Sequence, residues 1–268
     1  MPAEDTTVSD SESKTAGRSG DAGGARRAGD AGGVAERSSP THVTLAVVLQ
    51  VRGERLCVLL WQRAQEPFIG AWSLPGGYLE PGRALDQSIR THLARKVDVA
   101  ELSWLEQLET LGDPGRHPGE WQLATAYLGL VPLGLDPALP EDTAWHPVDH
   151  LPGRLAFDHE AIVLAGRERL RAKLSYTNIG FALAPESFSI SELSAIYSAA
   201  LGYPVDPTNL RRVLERRGLL EATGERRASG PEGGRPAAVY RFVSRAGLQV
   251  TDPFAVLRPP TRAARAAG

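Results

Sequence analysis

The chain has 268 residues, a length that suits two modest domains, each able to bury a core. Its formal net charge of −2 excludes a uniformly basic nucleic-acid coat, so any such interface must be a local patch. A single cysteine, Cys57, excludes an intrachain disulfide and a cysteine-based zinc site.

The reducing environment this implies, with no bilayer-length apolar run and no signal-peptide pattern, gives a cytoplasmic protein with no membrane partner as the expectation. Residues 1–40 are mostly Gly, Ala, Ser, Asp and Arg and bury too little to offset ordering entropy, so a disordered tail is expected there. A dense apolar strand is predicted over Val43–Val51, a turn over Arg52–Arg55 and a second strand over Leu56–Arg63. A helix follows from about Gly82 to Val97, with Leu85, Ile89, Leu93 and Val97 in one apolar stripe. Strands near Ser103–Leu111 and Trp121–Pro132 flank a Gly/Pro-rich loop, and a strong helix begins at His159 and runs to Leu174, with Ile162, Val163, Gly166 and Leu170 inward. This order predicts an α/β domain over 41–174, a mixed sheet sandwiched by helices. A linker is expected over 175–184.

The remaining pattern predicts an α+β winged helix-turn-helix over 185–246. Ser189 and Glu192 form a capping-box pair ahead of an apolar face made by Ile190, Leu193, Ile196, Tyr197, Ala200 and Leu201, with Gly202 at the helix end. Asp206 suits an N-cap and Pro207 the first helical position of a second helix that runs to about Arg217, before Gly218. Two short helices with a tight link match a helix-turn-helix. A strand at 219–221, a basic loop over 222–236 and a returning strand over 237–243 would make the wing. From Pro207 to Arg241 the chain carries eight arginines and four glutamates on an otherwise acidic protein. Thr208, Asn209, Arg211, Arg212 and Arg216 on the second helix, and Arg226, Arg227 and Arg235 in the wing, are the candidate DNA-binding residues. Arginine pairs bidentately with guanine and asparagine with adenine. A second tail is expected over 247–268.

Gly70–Glu80 (GAWSLPGGYLE) resembles the segment that opens the Nudix box, G-x5-E-x7-R-E-U-x-E-E-x-G-U, in which U is a bulky apolar residue. In that family glycines make the turn into a helix whose glutamates hold Mg²⁺ against a diphosphate. The chemistry needs several carboxylates on one face, because Mg²⁺ is a hard cation that prefers oxygen. Aligned from Gly77, the first glutamate position holds Arg83, the R-E pair is Thr91-His92, the E-E pair is Arg95-Lys96 and the late glycine is Asp98. The apolar positions, Leu93 and Val99, fit. The structural residues match and the metal-binding ones do not, so no metal, no cofactor and no catalytic residue is expected. The glycine turn can still present N–H groups to a phosphate. Arg63, Trp72, Gly76, Gly77, Arg83, Arg95 and Lys96 are the candidate ligand-binding residues. For the three box cations two readings stand: they neutralise a diphosphate in place of a metal, or they are solvated helix charges.

A degenerate Nudix domain followed by a winged helix resembles the Nudix-related transcriptional regulators of NAD metabolism, the NrtR family. Leu155–Glu160 (LAFDHE), Arg169–Thr177 and Gly234–Ala237 with Tyr240–Phe242 extend the resemblance over about Thr41–Val243. It implies a DNA-binding repressor of NAD biosynthesis or salvage genes, with 41–174 as a ligand-sensing and dimerisation domain. It also implies ADP-ribose or a related nucleotide as ligand, a double-stranded operator as partner and a homodimer. The alternatives are a Nudix hydrolase of a nucleoside diphosphate derivative, which the missing carboxylates oppose, and a nucleotide-binding adaptor that docks protein.

Overall fold

The computed structural model describes residues 39–99, 101–227 and 236–251. The expected N-terminal tail lies outside them except for Ser39 and Pro40, and so does Arg235. Strand β1 (Thr41–Arg52) turns through Gly53 and Glu54, both at positive φ, into β2 (Arg55–Gln62). Two short strands, β3 (Trp72–Ser73) and β4 (Gly76–Tyr78), precede helix α1 (Leu85–Lys96). Then come β5 (Trp104–Leu111), β6 (Gln122–Leu130), β7 (Thr143–Pro147) and the 18-residue α2 (His159–Tyr176). The sheet order is β3-β2-β1-β6-β5, with β4 also on β1 and β7 on β2; β1 and β6 are parallel and the other pairs antiparallel. The expected mixed sheet is therefore present.

Alternation along β1 divides the interior. Ala46 and Val48 face α1, through Ile89, Leu93 and Val97, while Val43, Leu45, Val47, Leu49 and Val51 belong to the apolar cluster that holds Ile162, Val163, Leu170 and Leu174 of α2. The helix stripes read from the sequence face the core, with Leu85 only partly buried. Gly166 has no side chain because α2 sits so close to β1 that a Cβ there would lie 2.8 Å from Val47 Cγ1.

The winged helix begins with β8 (Phe188–Ser189), followed by α3 (Ile190–Leu201) and α4 (Pro207–Arg216), then β9 (Leu220–Arg227) and β10 (Ala237–Phe242), in the order β8-β10-β9. The capping box of Ser189 and Glu192 is formed, Gly202 closes α3 at φ 78°, and Asp206 caps α4 by accepting from Asn209 N at 2.7 Å.

Three boundaries differ from expectation. Residues 175–184, expected as a linker, are packed into the structure: α2 extends through Tyr176, and Ile179, Phe181, Ala182, Leu183 and Ala184 are buried. Their apolar side chains join the α2 cluster to Phe188, Leu210, Leu214 and Phe242, so one core runs through both halves. Residues 247–251 are not loose either. Asn178 Oδ1 accepts from Gln249 N (2.8 Å), Asn178 Nδ2 donates to Gly247 O (3.2 Å) and Thr251 N donates to Tyr176 O (2.8 Å). Finally, β9 continues through Arg226 and Arg227, which sequence reading placed in a loop, because both pair with β10 at Ala238 and Ala237.

Candidate functional site

Two sites emerge, one at each end of α2. The first is a cleft of about 940 Å³ over the glycine segment, within the range that holds a nucleotide-sized ligand. Gly76 and Gly77 form its floor as part of β4, not as the first turn of a helix; α1 starts only at Leu85, so the expected phosphate cradle at a helix N-terminus is absent. Both glycines are required by close approach. A Cβ on Gly76 would lie 2.1 Å from Thr44 O, and one on Gly77 2.7 Å from the His92 ring.

Of the candidate ligand residues, Arg63, Gly76, Gly77 and Lys96 line the cleft. Lys96 Nζ donates to Gly76 O at 2.7 Å and sits 5.0 Å from the Trp61 ring centroid. Partial burial, and secondarily the Arg63 charge, hold its pKa below the usual lysine value. Arg63 Nε donates to Pro67 O at 2.8 Å and its guanidinium lies 4.7 Å from the Phe157 ring centroid. Arg83 and Arg95 instead pair with Glu80, and Trp72 packs edge-on against His146 at 4.4 Å; none of these three lines the cleft.

The box positions do not suit Mg²⁺. Lys96 and His92 line the cleft at two of the box's glutamate positions, and of the cleft's glutamates, Glu66, Glu80 and Glu120, the one beside the box helix, Glu80, is shared by two arginines. His92 Nε2 bonds Tyr78 O at 3.0 Å, and burial lowers its pKa. Among the described residues no group of three His, Cys, Asp or Glu is placed to hold a metal ion. Asp98, in place of the late glycine, keeps a positive φ of 52°, a conformation Asp tolerates better than most residues.

Sequence reasoning missed a second wall, formed by Arg116, His117, Phe157 and His159. Arg116 makes two bonds to Asp158, at 2.7 and 3.0 Å. The first residue of α2, His159, is fully buried; its Nδ1 accepts from Leu74 N at 3.0 Å and lies 3.0 Å from Ser73 Oγ. Burial, reinforced by the Arg116 and Arg63 charges and opposed by Asp158, pushes its pKa down to about 3. It is a neutral imidazole with Nδ1 as acceptor. Phe157, at φ 54°, is stacked on His117 with ring centroids 5.2 Å apart. The one sequence signal for this wall was the LAFDHE stretch.

The second site is the outer face of α4 with the wing. Leu210, Val213 and Leu214 are buried, while Thr208, Arg211, Arg212 and Arg216 are exposed and Asn209 is half-buried. Arg212 Nη2 donates to Asn209 Oδ1 at 2.8 Å, which sets both side chains side by side, and Arg211 lies 3.8 Å from Glu215. Arg226 is exposed on β9. Arg227 contacts both carboxylate oxygens of Glu192 at 2.7 Å, which ties the wing to the first turn of α3.

Comparison with known proteins matches both halves. The NUDIX domain family covers residues 40–165, and the NrtR DNA-binding winged helix domain family covers residues 180–242. The ADPR responsive transcriptional repressor NtrR of Acinetobacter baylyi is 30% identical over 210 residues, which cover 76% of this chain and 82% of that protein. Two structures of Shewanella oneidensis NrtR are also similar. The one complexed with a 27mer DNA is 33% identical, with TM-score 0.65, and the match covers 75% of this chain and 92% of that one. The other is 35% identical, with TM-score 0.66, covering 75% and 93%.

Proposed function

The chain belongs to the NrtR family, and we propose from that premise that it is a transcriptional repressor that binds operator DNA through α4 and the wing and senses ADP-ribose or a related nucleotide in the cleft over β4. The observation that carries the reading is the pairing of a nucleotide-sized cleft with an arginine-rich second helix in one chain. The Acinetobacter relative is ADPR responsive by name, and the Shewanella structure holds DNA. Regulation of NAD biosynthesis or salvage genes follows from the family resemblance, and a homodimer from the two-fold symmetry of operators read by helix-turn-helix proteins.

In this reading Lys96 and Arg63 supply positive charge at the diphosphate, and Phe157 and His117 supply ring surface. The protein does not hydrolyse its ligand, because Arg83, Thr91, His92, Arg95 and Lys96 stand where the Nudix box needs its arginine and glutamates. The test has two arms. Sequencing of genomic DNA bound by the protein, followed by anisotropy titrations on the recovered duplex with and without ADP-ribose, should show specific binding that ADP-ribose weakens. Incubation of ADP-ribose with protein and Mg²⁺ or Mn²⁺ should release no AMP; steady metal-dependent release would make the chain a hydrolase instead. Binding that does not distinguish the recovered duplex from a scrambled one would leave a docking module.

A further inference from the structure

The two sites are joined by one continuous helix. At its first residue, α2 places His159 in the cleft wall, and the preceding Asp158 holds Arg116. Near its last residue, the Ser175 carbonyl accepts from Arg217 Nη2 at 2.8 Å, and Arg217 is the residue that ends α4. At 1.5 Å per residue the helix spans about 27 Å, so a cleft-lining group and the end of the recognition helix are fixed to opposite ends of one rod.

The contacts differ along its length. The middle is seated tightly, where bare Gly166 brings α2 against Val47 of β1. Apolar side chains seat it at both ends as well, Ile162 and Val163 near the start and Leu170 and Leu174 near the finish, and polar contacts add to these. Arg169 and Lys173 reach Glu106 of β5 only through long side chains, at 3.6 and 2.9 Å. Beside the C-terminal half, a cavity of about 460 Å³ is lined by Arg167 and Arg171 of α2 and by Ala195, Ser198 and Ala199 of α3, and Arg171 Nε donates across to Ala200 O at 3.4 Å.

We propose that α2 is the element that couples the cleft to α4, and that Arg217 is a positioning residue whose bond to the Ser175 carbonyl passes a displacement of α2 to α4. Ligand sensing through this helix rests on the ADP-ribose reading above; the mechanical coupling does not. A ligand that competes for Arg116 or His159 releases the N-terminal anchor, and the opposite end of the rod moves Arg217 and with it the residues that meet DNA.

The test is a double-mutant cycle on DNA affinity with no nucleotide present. Asp158→Asn, Arg217→Gln and the double variant of the full chain are titrated against a duplex selected by the wild-type protein from a random library. Sites this far apart normally act independently, within about twofold. The expected result is that the double variant departs from the product of the single effects by more than twofold. A product obeyed within twofold overturns the proposal. If Asp158→Asn fails to fold because Arg116 is left buried and unpaired, Arg116→Met, which removes that cation and leaves only the partly exposed Asp158 carboxylate, replaces it in the same cycle.

A second arm titrates ADP-ribose by calorimetry and then repeats the DNA titrations in its presence. Wild type and Arg217→Gln should bind ADP-ribose equally, whereas the loss of DNA affinity it causes should be at least threefold smaller in Arg217→Gln; an equal loss in both overturns the proposal. If wild type binds no ADP-ribose, the sensing reading fails, and the nucleotide-free cycle still decides the coupling.

Discussion

Replacing His159 with Gln should flatten the acid limb of the stability curve. In the native state the imidazole is neutral down to about pH 3, buried with Nδ1 accepting from Leu74 N. In the unfolded chain it protonates near the ordinary histidine value of 6.5. Its native pKa is depressed, so below 6.5 the unfolded state binds the extra proton; the stabilisation is complete above 6.5 and falls away as pH drops toward 3. The loss is about 1.4 kcal/mol per pH unit, or about 2 kcal/mol between pH 7 and pH 5. Glutamine keeps an acceptor for Leu74 N and does not titrate. Urea unfolding of wild type and His159→Gln at pH 7 and pH 5 isolates the contribution, since His92, His146 and the carboxylates are common to both proteins. Wild type should lose about 2 kcal/mol more than the variant. Losses that agree within about 0.5 kcal/mol, the limit of additivity for independent sites, would refute the assignment of His159 as a neutral acceptor.

Gly77→Ala should destabilise by roughly 1–3 kcal/mol through overpacking against His92; adding His92→Ala should relieve it, whereas Gly76→Ala, which meets the Thr44 backbone, should not be rescued by trimming any side chain, as thermal melts of the single and double variants will show. Lys96→Ala should weaken ADP-ribose binding about 10- to 100-fold, the range for a hydrogen bond to a charged group, measured by calorimetry; unchanged affinity would place the ligand elsewhere. Arg212→Ala should cost roughly 1–3 kcal/mol at the cognate duplex and relax base choice there, while Arg226→Ala should weaken all duplexes alike and lower the salt slope by about one. Titrations over a salt series on cognate and scrambled duplexes separate the two.

The elements that sequence made legible are those whose signal is local. The stripe of α1, the inward face of α2, the Ser189 capping box and the Asp206-Pro207 start of α4 each lie within a few consecutive turns. Strands β3, β4, β7 and β8 have two to five residues and exist through partners far along the chain, as β4 does on β1. No window of sequence carries that information. The cleft divides the same way. Gly76, Gly77 and Lys96 stand in one motif, but Arg116 reaches the site from the loop before β6 and His159 from the start of α2, and only the fold brings them together. Arg227 was misread because a Gly-rich neighbourhood suggested a loop, whereas pairing with Ala237 and the Glu192 carboxylate extends β9 through it.

The buried stretch from Ile179 to Ala184 has a consequence for how the chain comes apart. A peptide cut there would not free a reader head from a sensor body, because Phe181 and Leu183 are shared upholstery, with neighbours on both sides. The nicked halves should co-elute under native conditions and part only in denaturant. Each half made alone would carry a raw apolar seam where Phe181 and Leu183 now lie covered.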